Sequence, residues 1–415
     1  MARLPIPARL RAIAPDPLTL LSAALIVFAF PPWNQSYLIW FALVPWLAAL
    51  RRAADRKRAL LQGVWLSFFM SVGGFYWVAV VLHEFGELPW PVAVLGLFLY
   101  SLAGQPQFLA FGWLFKHLEL RRPASLTPTV LGGLFVAALY TGVDWILPKL
   151  FVDTLGYSLF QARVLRQAAD VGGASLLTFL IFAVNDGLYK ALAEARRPRT
   201  PIVLNPCLLL PLVLWGAAWG YGERRLDQVH RWMAAPDSRA RFAVIQPNIG
   251  DIDKIAAETG LRAASEKVLD TLFTMSEQAL GSFPKPDVLV WPETSYPSSF
   301  RTPRTATELA HDQRIERFVK STGAPLLFGG YDVLGKKDFN AFFFLSPQAY
   351  ARAGSPPTDL QIYRKNVLLL FGEYIPLADT FEWIGGLFPR VGNFGRGLGP
   401  DVLSLQLGSR AIEIG

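Results

Sequence analysis

Charge is what this sequence has least of, and the shortage is one-sided. Charged residues make up 17% of the 415 positions, against about a quarter in a soluble globular chain. Acids are rarest early on: residues 1–221 hold ten Asp and Glu, and residues 222–415 hold the other twenty-two. Cysteine is nearly absent, and the single Cys207 excludes an intramolecular disulfide. The four histidines, His83, His117, His230 and His311, share no spacing that suits a metal site or a catalytic triad. Neither a metal nor a cofactor is therefore expected. The first apolar run has no small-residue cleavage site and leads into "PPWNQ", so a removable leader is not expected. "VGNFGRGLGP" is rich in glycine but lacks the Lys-Ser/Thr ending of a phosphate loop, and it reads as a mobile loop.

What is present is apolar. Hydrophobic residues reach 52%, with thirteen Trp and thirty Phe. Seven apolar segments are legible near 17–33, 35–50, 60–82, 90–115, 128–147, 171–190 and 202–221. A bilayer core of about 30 Å takes about 20 helical residues, which the third to seventh supply. The first two are short and read as a tight hairpin around "PPWNQS". The formal charge of +8 sits in short clusters between these runs. That placement suits a membrane surface, and no nucleic-acid partner is expected.

Lys and Arg favour the cytoplasmic side of a membrane, so the loops give an orientation. With the N-terminus inside, the inner segments hold fifteen basic residues, among them Arg51, Arg52, Arg56, Lys57 and Arg58. The outer loops hold three, Lys149, Arg163 and Arg166. Seven spans then place everything after residue 221 outside. The chain thus reads as two domains, a transmembrane part over 1–221 and a water-soluble part over 222–415. Asp144, Asn185 and Asp186 fall at or near membrane depth. Asp144 is expected at the outer interface, solvated. Cys207 is expected at the inner end of the seventh span, as inert packing.

Past residue 241 the pattern changes to short strands and amphipathic helices. "RFAVIQPNIG" and "DVLVW" read as strands, 256–280 and 305–320 as helices, and "LSLQLGSRAIEIG" as two strands joined by "LGS". Alternating strands and helices followed by more strands suggest a layered α/β domain. Glu293 follows a strand end and Pro292, where a rigid scaffold holds a side chain well. It reads equally as a helix-opening charge. Lys365 in "YRKN" is a candidate cation or a solvated loop lysine. Glu373 in "FGEYIP" is a candidate acid or an ion-pair partner of Arg364 or Lys365.

Taken together, "GGFYWVAV", "VIQPNIG", "LVWPETSYP" and "YRKNVLLLFGEYIPL" closely resemble the apolipoprotein N-acyltransferases, over nearly the whole chain. The resemblance implies a multi-span α-helical membrane domain joined to a nitrilase-like (carbon–nitrogen hydrolase) αββα sandwich. By position, Glu293 matches the family's general base, Lys365 the lysine that stabilises the tetrahedral intermediate, and Glu373 a second, supporting glutamate. The family's reaction carries an acyl chain from a phospholipid, typically phosphatidylethanolamine, to a cysteine thioester. The chain then passes to the α-amino group of a diacylglyceryl-cysteine apolipoprotein. The resemblance also implies a bacterial inner membrane, with the sandwich in the periplasm.

Two departures stand out. The family's nucleophilic cysteine follows a strand that "RAIEIG" matches here, at residues 410–415, and no cysteine is present there. The simplest expectation is a truncated chain, its sandwich incomplete, its final span missing and its own acyltransferase activity lost. The stretch after "QPNIG" also lacks a tryptophan that the family often has. A membrane-tethered amidase of nitrilase type, a transporter with an outer domain and a non-catalytic remnant or binding protein are the alternative readings.

Overall fold

The computed structural model of the protein describes residues 13–414, apart from 85, 87, 122–129, 195–204, 236–238, 251–261, 336, 348–359, 370–371, 376–379, 382, 384–392, 400–401 and 408–409. The chain divides into two units, Met1–Ala235 and Pro236–Gly415.

In the first unit, Asp16 accepts a hydrogen bond from the Leu18 N–H and Pro17 takes the first helical position, so helix α1 (Pro17–Ala29) starts there. Helices α2 (Val44–Arg52), α3 (Arg56–Gly74), α4 (Trp77–Glu84), α5 (Trp90–Ala103), α6 (Pro106–Arg121), α7 (Val130–Ile146), α8 (Ala169–Glu194) and α9 (Pro206–Ala234) follow. Helices α3 and α6 cross closely. A Cβ at Gly63 would lie 2.4 Å from the Phe108 carbonyl oxygen, so no side chain fits there. Trp46, Phe108, Phe111, Tyr140 and Phe182 fill the centre, all fully buried. The Asn185 side chain accepts from the Leu43 N–H at 2.8 Å and donates to the Ile39 carbonyl at 2.9 Å, answering backbone groups where α2 begins.

Two helical stretches among the described residues, Trp90–Arg121 and Leu165–Ala193, are long and apolar enough to cross a membrane. The pair Arg56–Gly74 and Trp77–Glu84, bent by 63°, makes a third if it forms one span. Leu99, Leu131, Trp145 and Ile146 are left exposed, as the outside of a membrane domain requires. Asp144 departs from expectation. It is buried, pairs with Lys149 at 2.9 Å and accepts from Thr154 Oγ1 at 2.7 Å. A carboxylate away from water needs such partners. Asp186 is likewise buried, 2.5 Å from Lys190 one turn along α8.

The second unit is built on a five-stranded mixed sheet. Its strands are β1 (Phe242–Val244), β2 (Val288–Val290), β3 (Leu326–Leu334), β4 (Lys337–Leu345) and β5 (Gln361–Arg364), in spatial order of sequence. The pairs β1–β2 and β2–β3 are parallel, whereas β3–β4 and β4–β5 are antiparallel. Helices α10 (Arg262–Leu280) and α11 (Ala306–Thr322) link the parallel strands. The period-2 alternation of a strand then separates two faces. Leu289, Phe328 and Phe343 pack with Leu272 and Ile315 of the helices. Their neighbours Val288, Leu327 and Phe344 pack with Leu403 on the other side. Leu403 belongs to the hairpin expected from "LSLQLGSRAIEIG", formed by β6 (Leu403–Leu407) and β7 (Arg410–Ile414). Gln361 on β5 exchanges two 2.6 Å bonds with the backbone of Ser404, fixing the hairpin to the sheet.

Candidate active site

Glu293 lies three residues past β2, on a segment that keeps bonding to β3 after the strand has ended. The Trp291 N–H donates to Leu327 O at 2.8 Å, the Tyr296 N–H to Gly329 O at 2.9 Å and the Phe300 N–H to Tyr331 O at 3.0 Å. Trp291 is fully buried and its indole N–H reaches Ser276 Oγ at 2.9 Å. Between these anchors the chain turns sharply, with Thr294 at φ +47°. The turn presses on Gly329. A Cβ there would fall 2.5 Å from Thr294 N and 2.6 Å from Glu293 Cα.

Lys365 comes directly after β5. Its own N–H donates to Asn340 O at 2.9 Å, and its carbonyl accepts from the Gly397 N–H at 2.9 Å. Lys365 Nζ lies 3.0 Å from Glu293 Oε1 and 3.0 Å from Glu373 Oε1. The second oxygen of Glu373 accepts from the Leu369 N–H at 2.9 Å. All three residues singled out in the sequence therefore meet, although 80 positions separate the first from the last. Burial draws the Lys365 ammonium toward losing its proton, but the hydrogen bonds and charges of Glu293 and Glu373 outweigh it. Its pKa ends above the ordinary lysine value.

A fourth residue completes the cluster. Asn340, buried in the middle of β4, donates through Nδ2 to Glu293 Oε1 and to Glu373 Oε1, each at 2.7 Å. Each carboxylate oxygen is thus shared between one ammonium and one amide. Nothing in "DFNAFFF" marks Asn340 by itself. A polar residue interrupting an apolar strand was the only available signal.

Glu293, Asn340 and Lys365 form one wall of a cavity of about 650 Å³, whose other walls include Phe342, Tyr363, Val367, Leu403 and Ile414. Glu293 also faces a smaller, more polar hollow of about 220 Å³, lined by Gln246, Asn248, Thr294 and Ser295. The arrangement can take up a proton, stabilise a negative oxygen beside an ammonium and hold an apolar chain. Cys207 lies in the helical unit, buried in α9. Among the described residues, no group of three or more His, Cys, Asp or Glu is placed to hold a metal ion.

Residues 22–186 match the family model described as the apolipoprotein N-acyltransferase N-terminal domain. The chain is 30% identical over 408 residues to an apolipoprotein N-acyltransferase of Geobacter metallireducens, covering 96% of this chain and 71% of that one. It is 29% identical over 402 residues to the apolipoprotein N-acyltransferase of Bdellovibrio bacteriovorus, covering 93% and 68%. A third, from Chlorobaculum tepidum, is 26% identical over 390 residues, covering 88% and 66%. With a helical membrane domain, an α/β domain and sequence similarity running through both, this chain belongs to the apolipoprotein N-acyltransferase family.

Proposed function

We propose that Glu293, Lys365 and Glu373 form the acid–base part of a site that transfers a phospholipid acyl chain, through a cysteine thioester, to the N-terminal amine of a diacylglyceryl-cysteine apolipoprotein. The observation that carries this reading is the Lys365 ammonium, 3.0 Å from both glutamates on the wall of a largely apolar cavity. Glu293 takes the thiol proton as the sulfur attacks the ester carbonyl. Lys365 stabilises the oxyanion that forms. Collapse of that intermediate breaks the ester bond, and Glu293 returns the proton to the departing lysophospholipid oxygen. The lipoprotein amine then attacks the thioester, forming the amide and releasing the thiol. Glu373 and Asn340 keep Lys365 and Glu293 in register. The apolar cavity suits the acyl chain, and the polar hollow beside Glu293 suits the leaving headgroup.

The α/β unit is read as a nitrilase-like αββα sandwich on the periplasmic side of a bacterial inner membrane. Its support is the helix–sheet–hairpin layering and the fifteen-to-three distribution of basic residues. The nucleophilic thiol is not among residues 236–415, which contain no cysteine. The 415-residue polypeptide, purified and given labelled phospholipid, is therefore expected to form no hydroxylamine-labile acyl adduct. An adduct on Cys207 would overturn this assignment. In protein carrying a thiol in the cavity, acyl-enzyme should form. Glu293→Gln and Lys365→Ala should then each slow its formation by about 10²-fold or more. Ordinary rates in either variant would remove that residue from the chemistry.

A further inference from the structure

The basic cluster at residues 51–58, "RRAADRKR", is not used by the reaction, and its five cations are not equivalent. Arg51 turns inward to Glu119 at 3.3 Å and lies over the Phe115 and Tyr189 rings. Arg56 lies over Trp113 and meets His117 Nδ1 at 3.0 Å. The other three, Arg52, Lys57 and Arg58, line a separate hollow of about 540 Å³ at the turn between α2 and α3. Among the described residues Arg52 and Lys57 take part in no ion pair. Arg58 donates to the Ala14 carbonyl at 2.7 Å, which closes one side.

Two acids also line the hollow, and each is engaged in starting a helix. Asp16 Oδ1 accepts from the Leu18 N–H at 2.9 Å, and Asp55 Oδ1 accepts from the Arg58 N–H at 2.8 Å. The formal balance is one positive charge, and the cations are on longer, more mobile stems. Buried Gln62 belongs to the same lining. Its Oε1 accepts from the Asp16 N–H and from Thr19 Oγ1, while Nε2 has no acceptor among the described residues. The hollow therefore combines two cations that form no ion pair among the described residues with a third, Arg58, held at its edge. Exposed Ile13 and half-buried Leu61 add an apolar margin. Cations at the end of a membrane helix bundle, over an apolar margin, match a phosphodiester carried on acyl chains.

We propose that this hollow binds the phosphate of an anionic phospholipid, at the end of the helical unit that the charge count assigns to the cytoplasmic side. The site is independent of the acyl-transfer reading, since none of its residues belongs to that cluster. The test uses the full chain purified in a neutral detergent, with lipid retention read by native mass spectrometry. Phosphatidylglycerol should be retained about tenfold or more over phosphatidylcholine. Arg52→Gln combined with Lys57→Gln should remove that preference. Ala54→Trp, which fills the hollow without changing charge, should remove it too, and Arg52→Lys should keep it. Inorganic phosphate is the second probe. Competition by phosphate with phosphatidylglycerol supports phosphate recognition, and saturation by phosphate equal to that by lipid would assign the site to the free ion. Equal retention of the two lipids, or full phosphatidylglycerol retention in both the double variant and Ala54→Trp, would overturn the proposal.

Discussion

Asn340 supplies what the charged residues cannot. Two carboxylates share one ammonium, and Asn340 adds a donor to the same two oxygens without adding charge. Removing it takes one donor from each glutamate, at the oxygen that Lys365 also contacts. Asn340→Ala is therefore expected to slow acyl-enzyme formation by about 10²-fold, in protein carrying the cavity thiol, through misplacement of the base. Asn340→Asp should be slower still, because a third carboxylate would then compete for one cation. Rates at or above the Ala value in the Asp variant would show that the amide acts by some other route. Glu293, Lys365 and Glu373 were candidates in the sequence, none specific alone, and only the resemblance of the strings around them to one family singled them out together. Asn340 was not among them, since its role depends on β4 lying beside β5 in a register that brings it against residue 365. Gly329 was hidden for a related reason. The need for glycine arises from the turn at Glu293–Thr294, which crosses it in space. Gly329→Ala should cost about 3 kcal/mol, at the upper end for overpacking, because backbone atoms cannot swing aside. Denaturant midpoints would measure it, and an unchanged midpoint would mean that the turn shifts freely.

At the scale of elements, α11 holds the segment that carries Glu293. Thr305 and Glu308 form a reciprocal capping box at its start, a signal visible in "TATE". What the sequence did not reveal is that Asp312, one helical turn further on, reaches back to that segment. Its Oδ1 accepts from the Tyr296 hydroxyl and its Oδ2 from the Arg301 N–H at 2.9 Å. Burial raises the Asp312 carboxyl to about 6, despite these two donors. A carboxyl raised in the folded state favours folding most when it is protonated. Its contribution is complete below the ordinary value of about 3.9, falls as pH rises, and is lost above about 6. The chain should therefore lose stability between those limits, and Asp312→Asn should flatten that part of the curve. Urea midpoints across the window, compared between the two proteins, would check it. Identical slopes would mean that Asp312 ionises alike in the folded and unfolded states. The strands were legible from alternation, as Val288 to Val290 and Leu326 to Phe328 show by dividing between two apolar cores. Their order was not legible, because pairing partners lie far apart in the chain.

For the molecule as a whole, composition and fold change together along the chain. An acid-poor first half yields a helical unit with exposed apolar side chains, and an ordinary second half yields a mixed sheet with helices. Such a division makes sense for a reaction whose substrates keep their acyl chains in the bilayer while their carbonyl groups meet polar side chains. It requires the α/β unit to stand on the side where the acceptor lipoproteins are, and the distribution of basic residues indicates that side. Fifteen against three predicts that the α/β unit faces the periplasm. A single reporter decides the matter, because Cys207 is the one native thiol and is buried. In a Cys207→Ala background, Ser282→Cys places a thiol on the exposed turn after α10. A membrane-impermeant maleimide should label it in intact spheroplasts as fully as in lysed ones. A thiol introduced by Lys57→Cys, on the opposite side in this orientation, should react only after lysis. The reverse pattern would place the glutamates and Lys365 in the cytosol, away from the lipoproteins that the proposed reaction needs.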